Sequence, residues 1–222
     1  MKTTRLLFLL LLLSEMGFGQ TGKYAIQVMA SPDTYRSRYG AMHPDMPDQK
    51  YSAKTGFSAG VQAWYQARKK VGVGVGLLYS RKDYGLTYNY RVIDRGDPNV
   101  PVTSTLRPAY LELPLSLRYS LLTTSAWTVQ ASSGVIPGFL FRNAAKTTYD
   151  DGHAAVEKWN GEPANPFLLS LPLGLSAAYY VTPRLGLVLE PQFRYYFNRI
   201  DANAFRTNPT QLSLRAGTIV HF

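Results

Sequence analysis

The chain has 222 residues, enough for one domain of ordinary size and too few for two comfortable ones. It contains no cysteine, which excludes disulfide frameworks, thiolate metal sites and cysteine nucleophiles. A net charge of +10 suggests nucleic acid or an anionic membrane, and 16 Tyr, 10 Phe and 3 Trp suit a surface meeting both water and lipid.

Residues 1–20 have the three-part layout of a secretory signal peptide. Lys2 and Arg5 precede an unbroken apolar run over 6–13, and Gly17 and Gly19 suit the positions before a cleavage site. A bilayer-spanning helix needs roughly 20 apolar residues, so this run is not an anchor. No cysteine follows it, which excludes a lipoprotein. Cleavage is expected near Gly19 or Gln20, leaving residues 21–222 as one domain outside the cytoplasm. No later stretch is long enough for a membrane helix, so a membrane protein here must cross with the strands of a closed barrel.

Period-two alternation then recurs along the chain, the mark of a strand with two unlike faces. After a first strand at 23–30, Phe57, Ala59, Val61, Ala63 and Tyr65 alternate with Ser58, Gly60, Gln62, Trp64 and Gln66. Val71, Val73, Val75, Leu77 and Tyr79 oppose Gly72, Gly74 and Gly76. Next, Leu111, Leu113, Leu115, Leu117 and Tyr119 oppose Glu112, Pro114, Ser116 and Arg118. Similar runs follow at 127–132, 169–179, 185–198 and 212–222, giving eight strands. Each apolar face spans about ten residues, enough for a tilted strand to cross the hydrocarbon. Residues 67–70, 120–126 and 181–184 read as short turns. Residues 31–52, 83–105, 143–164 and 199–210 read as long polar loops. That alternation predicts periplasmic turns, extracellular loops and periplasmic termini.

Which face points outward decides the class. In a soluble barrel the apolar set fills the interior and a charged set meets water. Here the other set is dominated by small and uncharged residues, and Gly72, Gly74 and Gly76 would offer water almost nothing. Turned inward, they leave room in a narrow lumen. Charge placement agrees. The four long loops hold 9 basic and 11 acidic residues, so the basic excess lies in strands and turns. Lys54, Arg81, Lys82, Arg107 and Arg142 are expected at the outer rim, and Arg68, Lys69, Lys70 and Arg184 at the inner rim, where they can meet lipid phosphates. The predicted fold is therefore all-β: an eight-stranded antiparallel up-and-down transmembrane barrel.

Two segments, Tyr110-Leu-Glu-Leu-Pro-Leu-Ser-Leu-Arg-Tyr119 and Glu190-Pro-Gln-Phe-Arg-Tyr-Tyr-Phe-Asn198, resemble strands of the PorT-like outer-membrane β-barrel family. The terminal Phe222 looks like the signal read by barrel-assembly machinery. The resemblance implies a barrel of the OmpA and OmpX size and brings no catalytic residues. The namesake's association with protein secretion does not transfer on fold alone.

Glu112, Arg118, Glu190, Arg194 and Arg215 are the candidate lumen cluster. Buried charges need pairing, so the two glutamates are expected to be shared among the three arginines, plugging the barrel. Trp64, Tyr65, Tyr79, Trp127, Tyr179, Tyr180, Tyr195, Tyr196 and Phe197 fall near strand ends and read as interfacial girdles. The only histidines are His43, His153 and His221. His153 stands beside Asp150 and Asp151, the one place to consider a lipid-modifying enzyme, but the pattern suits a solvated loop. No metal site, cofactor or catalytic residue is expected, and nothing resembles a recognition helix or stacking platform for nucleic acid. The expected partners are outer-membrane lipids, lipopolysaccharide and the assembly machinery, with the loop partner left open. The functional reading is a structural or surface-binding barrel; a narrow channel and a lipid-modifying enzyme are the alternatives.

Overall fold

The computed structural model describes residues 23–37, 50–90, 100–148, 154–158, 164–200 and 207–222. The expected signal peptide, His43, His153, Asp150 and Asp151 lie outside the described residues.

Fourteen strands follow one another: β1 (Tyr24–Arg36), β2 (Lys50–Ala53), β3 (Thr55–Arg68), β4 (Val71–Arg81), β5 (Tyr84–Tyr90), β6 (Val100–Leu106) and β7 (Ala109–Glu112), then β8 (Leu115–Thr123), β9 (Trp127–Arg142), β10 (Ala144–Thr148), β11 (Ala154–Lys158), β12 (Phe167–Tyr180), β13 (Leu185–Tyr196) and β14 (Thr210–His221). The large sheet runs β12-β13-β14-β1-β3-β4, then β7 and β8, then β9, which pairs back onto β12. All these pairings are antiparallel. β7 and β8 are two halves of one wall strand, split at Leu113-Pro114. Hydrogen bonding continues through the split, since Leu113 N–H donates to Pro137 O at 2.9 Å and Gly76 N–H to Pro114 O at 3.1 Å. The wall is thus a closed barrel of eight strands. Closure leaves no unpaired edge, the condition for crossing a bilayer with strands.

Proline lacks an N–H, so its place in a wall needs an account. The β1–β14 pairing runs from Ala25 to Ala30 and resumes at Asp33, skipping Pro32. The β12–β9 pairing skips Pro172 between Ser170 and Leu173. In both strands the proline sits where the ladder is interrupted.

Alternation is near-complete: burial along β13 reads exposed, buried, exposed throughout its twelve residues. Leu111, Leu113 and Leu115 are 37%, 41% and 50% exposed, whereas Glu112 and Arg118 are 1% and 5% exposed. Apolar side chains therefore cover the outside and the polar set fills the lumen. This arrangement far exceeds the few hundred Å² of apolar patch that a soluble monomer presents.

The lower end carries the short turns, the start of β1 and the end of β14, Phe222 N–H donating to Tyr24 O at 2.9 Å. The turn at 181–184 has its expected bounds, and the other two are shorter than expected, because β3 and β8 extend to Arg68 and Thr123. The upper end corrects the loop reading more strongly. Residues 31–36 belong to β1, and a second sheet of order β11-β10-β6-β5-β2 stands where long polar loops were expected. β5 continues β4, β6 leads into β7, and β10 continues β9, so the wall rises past its apolar zone. These runs are shorter than the wall strands, and their Val, Thr and Tyr favour the strand conformation.

The inward glycines make room for large neighbours. A Cβ added at Gly74 would lie 2.5 Å from the Trp64 ring, and one at Gly72 would lie 2.7 Å from Arg118 Nε. Gly74→Leu is expected to destabilise the barrel by about 1–3 kcal/mol by overpacking. Val75→Leu, on the outer face, should stay within about 0.5 kcal/mol. Urea unfolding in lipid vesicles reads both.

Candidate functional site

The lumen holds all five residues of the expected cluster, and its contents fall into layers. At the top, Tyr35, Tyr84, Leu106, Tyr110, Leu168, Tyr196 and Ile200 form an apolar and aromatic plug. Inward-facing positions of β1, β7, β12 and β13 supply most of it, brought together by barrel curvature.

Immediately against this plug sits Lys82, fully buried. Its ammonium uses all three donors, to Glu112 Oε1 at 2.7 Å, Ser80 Oγ at 2.9 Å and Tyr196 OH at 2.9 Å. It also lies 5.0–5.5 Å from the ring centroids of Tyr196, Tyr35 and Tyr110, an aromatic cage. The second carboxylate oxygen of Glu112 accepts from Arg194 Nη1 at 2.7 Å. Glu112 thus gives one oxygen to each of two buried cations. Lys82 is the first correction: it was expected at the rim, facing lipid phosphate. Glu112 pairs instead with a residue that follows the end of β4, the strand beside its own.

Beside this cluster lies Asp33, an acid the loop reading of 31–52 concealed. It accepts hydroxyl bonds from Ser31 at 2.9 Å, Ser213 at 2.7 Å and Ser58. Ser58 also reaches Ser80 at 2.9 Å, linking Asp33 to the Lys82 cage. A signal existed in the sequence. Ser31, Asp33 and Tyr35 continue the inward phase of Ala25, Gln27 and Met29 without a break.

One layer lower, Glu190 and Arg215 face each other in register across β13 and β14, with Nη1 to Oε2 at 3.8 Å. Ser132 Oγ donates to Glu190 Oε1 at 2.8 Å, and Arg215 Nη2 donates to Gln62 Oε1 at 3.3 Å. The void between these layers, bordered by Arg194 and Arg215, measures about 10 Å³. That is about the room of one water molecule.

Arg118 corrects the expected sharing of glutamates. Among the described residues no carboxylate lies within 4.0 Å of it. Its guanidinium stacks 4.4 Å from the Trp64 ring centroid instead. Arg118 is six residues below Glu112, roughly 20 Å along a strand, while Glu190 is occupied by Arg215. Trp64 is itself a correction. It is 6% exposed, inside the lumen, where its indole N–H donates to Gln27 Oε1 at 2.9 Å. With Ala25, Ala178, Val188, Ile219 and Tyr180 it closes the lower end. Tyr180 and Tyr196 likewise point inward, each next to an outward neighbour, because adjacent strand residues cannot share a face. Tyr180 OH contacts His221 Nε2 at 2.9 Å.

The remaining aromatics lie on the outside wall near the strand ends. Tyr65 packs on Tyr24, and Trp127 on Tyr179, at ring separations of 5.2 and 4.8 Å toward the lower end. Tyr195 packs on Phe197 at 5.6 Å toward the upper end, where Tyr79 is also exposed. At the upper rim Asp83 is pushed above the usual carboxylate range by burial, against the opposing pull of Arg81 and Arg107. Among the described residues no group of three His, Asp or Glu could hold a metal.

Removing one member of a buried charge cluster strands its partners, at about 3–5 kcal/mol. Glu112→Gln is therefore expected to destabilise the barrel by that amount in urea unfolding from vesicles. Glu112→Gln combined with Lys82→Met should cost less than the sum of the single changes, because the stranded ammonium is then gone.

Residues 18–202 match the family described as outer membrane protein beta-barrel domain. No protein of curated function matches the chain by sequence. Among solved structures, the chain is similar to Neisserial surface protein A, with 16% identity over 92% of this chain and 100% of that one, at a TM-score of 0.48. Similar values hold for OprG from Pseudomonas aeruginosa (15% identity, 91% and 97% covered, TM-score 0.48). A major outer membrane protein from Thermus thermophilus gives 18% identity, 90% and 99% covered, and a TM-score of 0.49. The family match spans most of the sequence, and the barrel is closed with an apolar outside. The chain belongs to the outer membrane protein β-barrel domain family and resides in the bacterial outer membrane.

Proposed function

We propose that this protein is a non-enzymatic structural or surface-binding barrel, working through the sheet and loops above the membrane rather than through its lumen. One observation supports the reading: buried apolar clusters lie toward both ends of the lumen, with charged side chains in direct contact between them. Buried cations and acids in direct contact favour a plug over a path. Within the family we place the chain with its PorT-like members, on the strands Tyr110–Tyr119 and Glu190–Asn198, without carrying over a role in secretion. Residues 1–20 act as the cleaved leader, and Phe222 serves as the signal for the assembly machinery. Outer-membrane lipids and lipopolysaccharide surround the wall.

Three measurements test this reading, the first two on protein from outer-membrane fractions. Planar bilayers should show conductance at background, and steady single-channel steps would replace the plug by a narrow pore. Amino-terminal sequencing of the same protein should begin within a residue or two of Gln20; a chain starting at Met1 would reject the leader. Lipid A mass spectra should be identical with and without His153→Ala, and a lost modification would restore the enzyme alternative.

A further inference from the structure

Four cations stand on adjacent strands of the upper rim. Lys54 precedes β3, Arg81 ends β4, Arg107 precedes β7 and Arg142 ends β9. Register places Arg81 and Arg142 on either side of Ala109, and Arg81 opposite Phe57, three residues from Lys54. Arg107 N–H donates to Ala144 O at 2.8 Å, tying that residue to the strand beyond Arg142. One carboxylate enters the sector. Asp83 accepts from Arg81 Nε at 2.8 Å and lies 3.8 Å from Arg107 Nε. Among the described residues four cations stand against one acid there, and the Arg81 and Arg107 side chains are 39% and 31% exposed.

Two polar atoms in the sector are shielded from water without a hydrogen bond, Arg107 Nε and Asn143 Oδ1. One can donate and the other can accept. Directly below, Phe57, Tyr79, Leu111, Phe139 and Phe141 face outward on the same strands.

We propose that this sector binds the phosphorylated sugar headgroup of an outer-leaflet glycolipid, with its acyl chains along the aromatic wall beneath. Guanidinium groups match phosphate oxygens in a two-pronged geometry, and Lys54 adds a compact charge. Asp83 holds two of the guanidiniums in place, so less freedom is lost on binding. The apolar wall joined to the cationic rim favours a lipid over a soluble polyanion. The site lies outside the lumen, so its fate is independent of whether the barrel conducts.

The test uses the full mature chain in nanodiscs containing lipid A with both phosphates, or the same lipid after phosphatase treatment. Native mass spectrometry reads the retained lipid. The wild type should retain the phosphorylated form about tenfold over the dephosphorylated one. Arg142→Gln, which leaves the Asp83 contacts intact, should lower that preference severalfold. Arg81→Gln, Arg107→Gln and Arg142→Gln together should abolish it, and Lys69→Gln at the lower turn should not change it. Millimolar inorganic phosphate should leave the lipid bound; its displacement would show a site for phosphate alone and overturn the glycolipid assignment. Equal retention of both lipids by the wild type, or full retention by Arg142→Gln, would overturn the proposal. A difference in gel migration between unboiled and boiled samples checks that each variant is folded, and the single Arg142→Gln decides if the triple variant is not.

Discussion

In hydrocarbon no water is available to complete a hydrogen bond, so every backbone N–H and C=O of a membrane-crossing strand must find its partner in the protein. For strands this forces closure, here made by β9 on β12 and continued through β14 on β1. Closure with eight strands then fixes a lumen only wide enough for side chains. The rest follows from those two facts. One face of each strand must be apolar because it meets lipid, and the other must be small, or polar and mutually satisfied, because it meets only its counterparts.

The lumen shows how that satisfaction is reached with few residues. Glu112 divides its oxygens between Lys82 and Arg194, Glu190 faces Arg215, and Asp33 is held by hydroxyls. Arg118 uses an aromatic face in place of a carboxylate. Large inward residues sit across from glycines, as Trp64 does from Gly74. Stability inside is thus mutual. Each charge is tolerated because of a named neighbour, whereas the apolar outside tolerates many substitutions of similar character.

The eight wall strands were legible in the sequence because lipid on one side imposes a sharp contrast between faces. Leu111 to Tyr119 and Leu185 to Tyr195 show that contrast most clearly, and their orientation is the one observed. Legibility fails where the contrast fades. Ser31, Asp33 and Tyr35 alternate with Pro32 and Thr34, whose outward side chains are not strongly apolar, so the upper part of β1 resembles a loop. The second sheet was hidden because its runs are short and carry turn-forming residues such as Gly85, Asn89 and Pro101. Trp64, Tyr180 and Tyr196 were misplaced by chemistry: an aromatic near a strand end suggests an interface, but its phase along the strand already pointed inward. Lys82 is harder. It keeps the inward phase of Leu78 and Ser80, but a lysine just past the end of β4 suggests the lipid rim, and only Glu112 on the neighbouring β7 explains its burial.

Orientation of the two faces is the central claim, and the absence of native cysteine makes it directly measurable. Spin labels attached through Leu113→Cys, Leu115→Cys, Leu117→Cys and Ser116→Cys, one at a time in lipid vesicles, can be relaxed by dissolved oxygen, which concentrates in hydrocarbon. High oxygen accessibility at 113, 115 and 117 with low accessibility at 116 is the result the account predicts. The reverse pattern, or equal accessibility to a water-soluble nickel reagent at the three leucine positions, would contradict it.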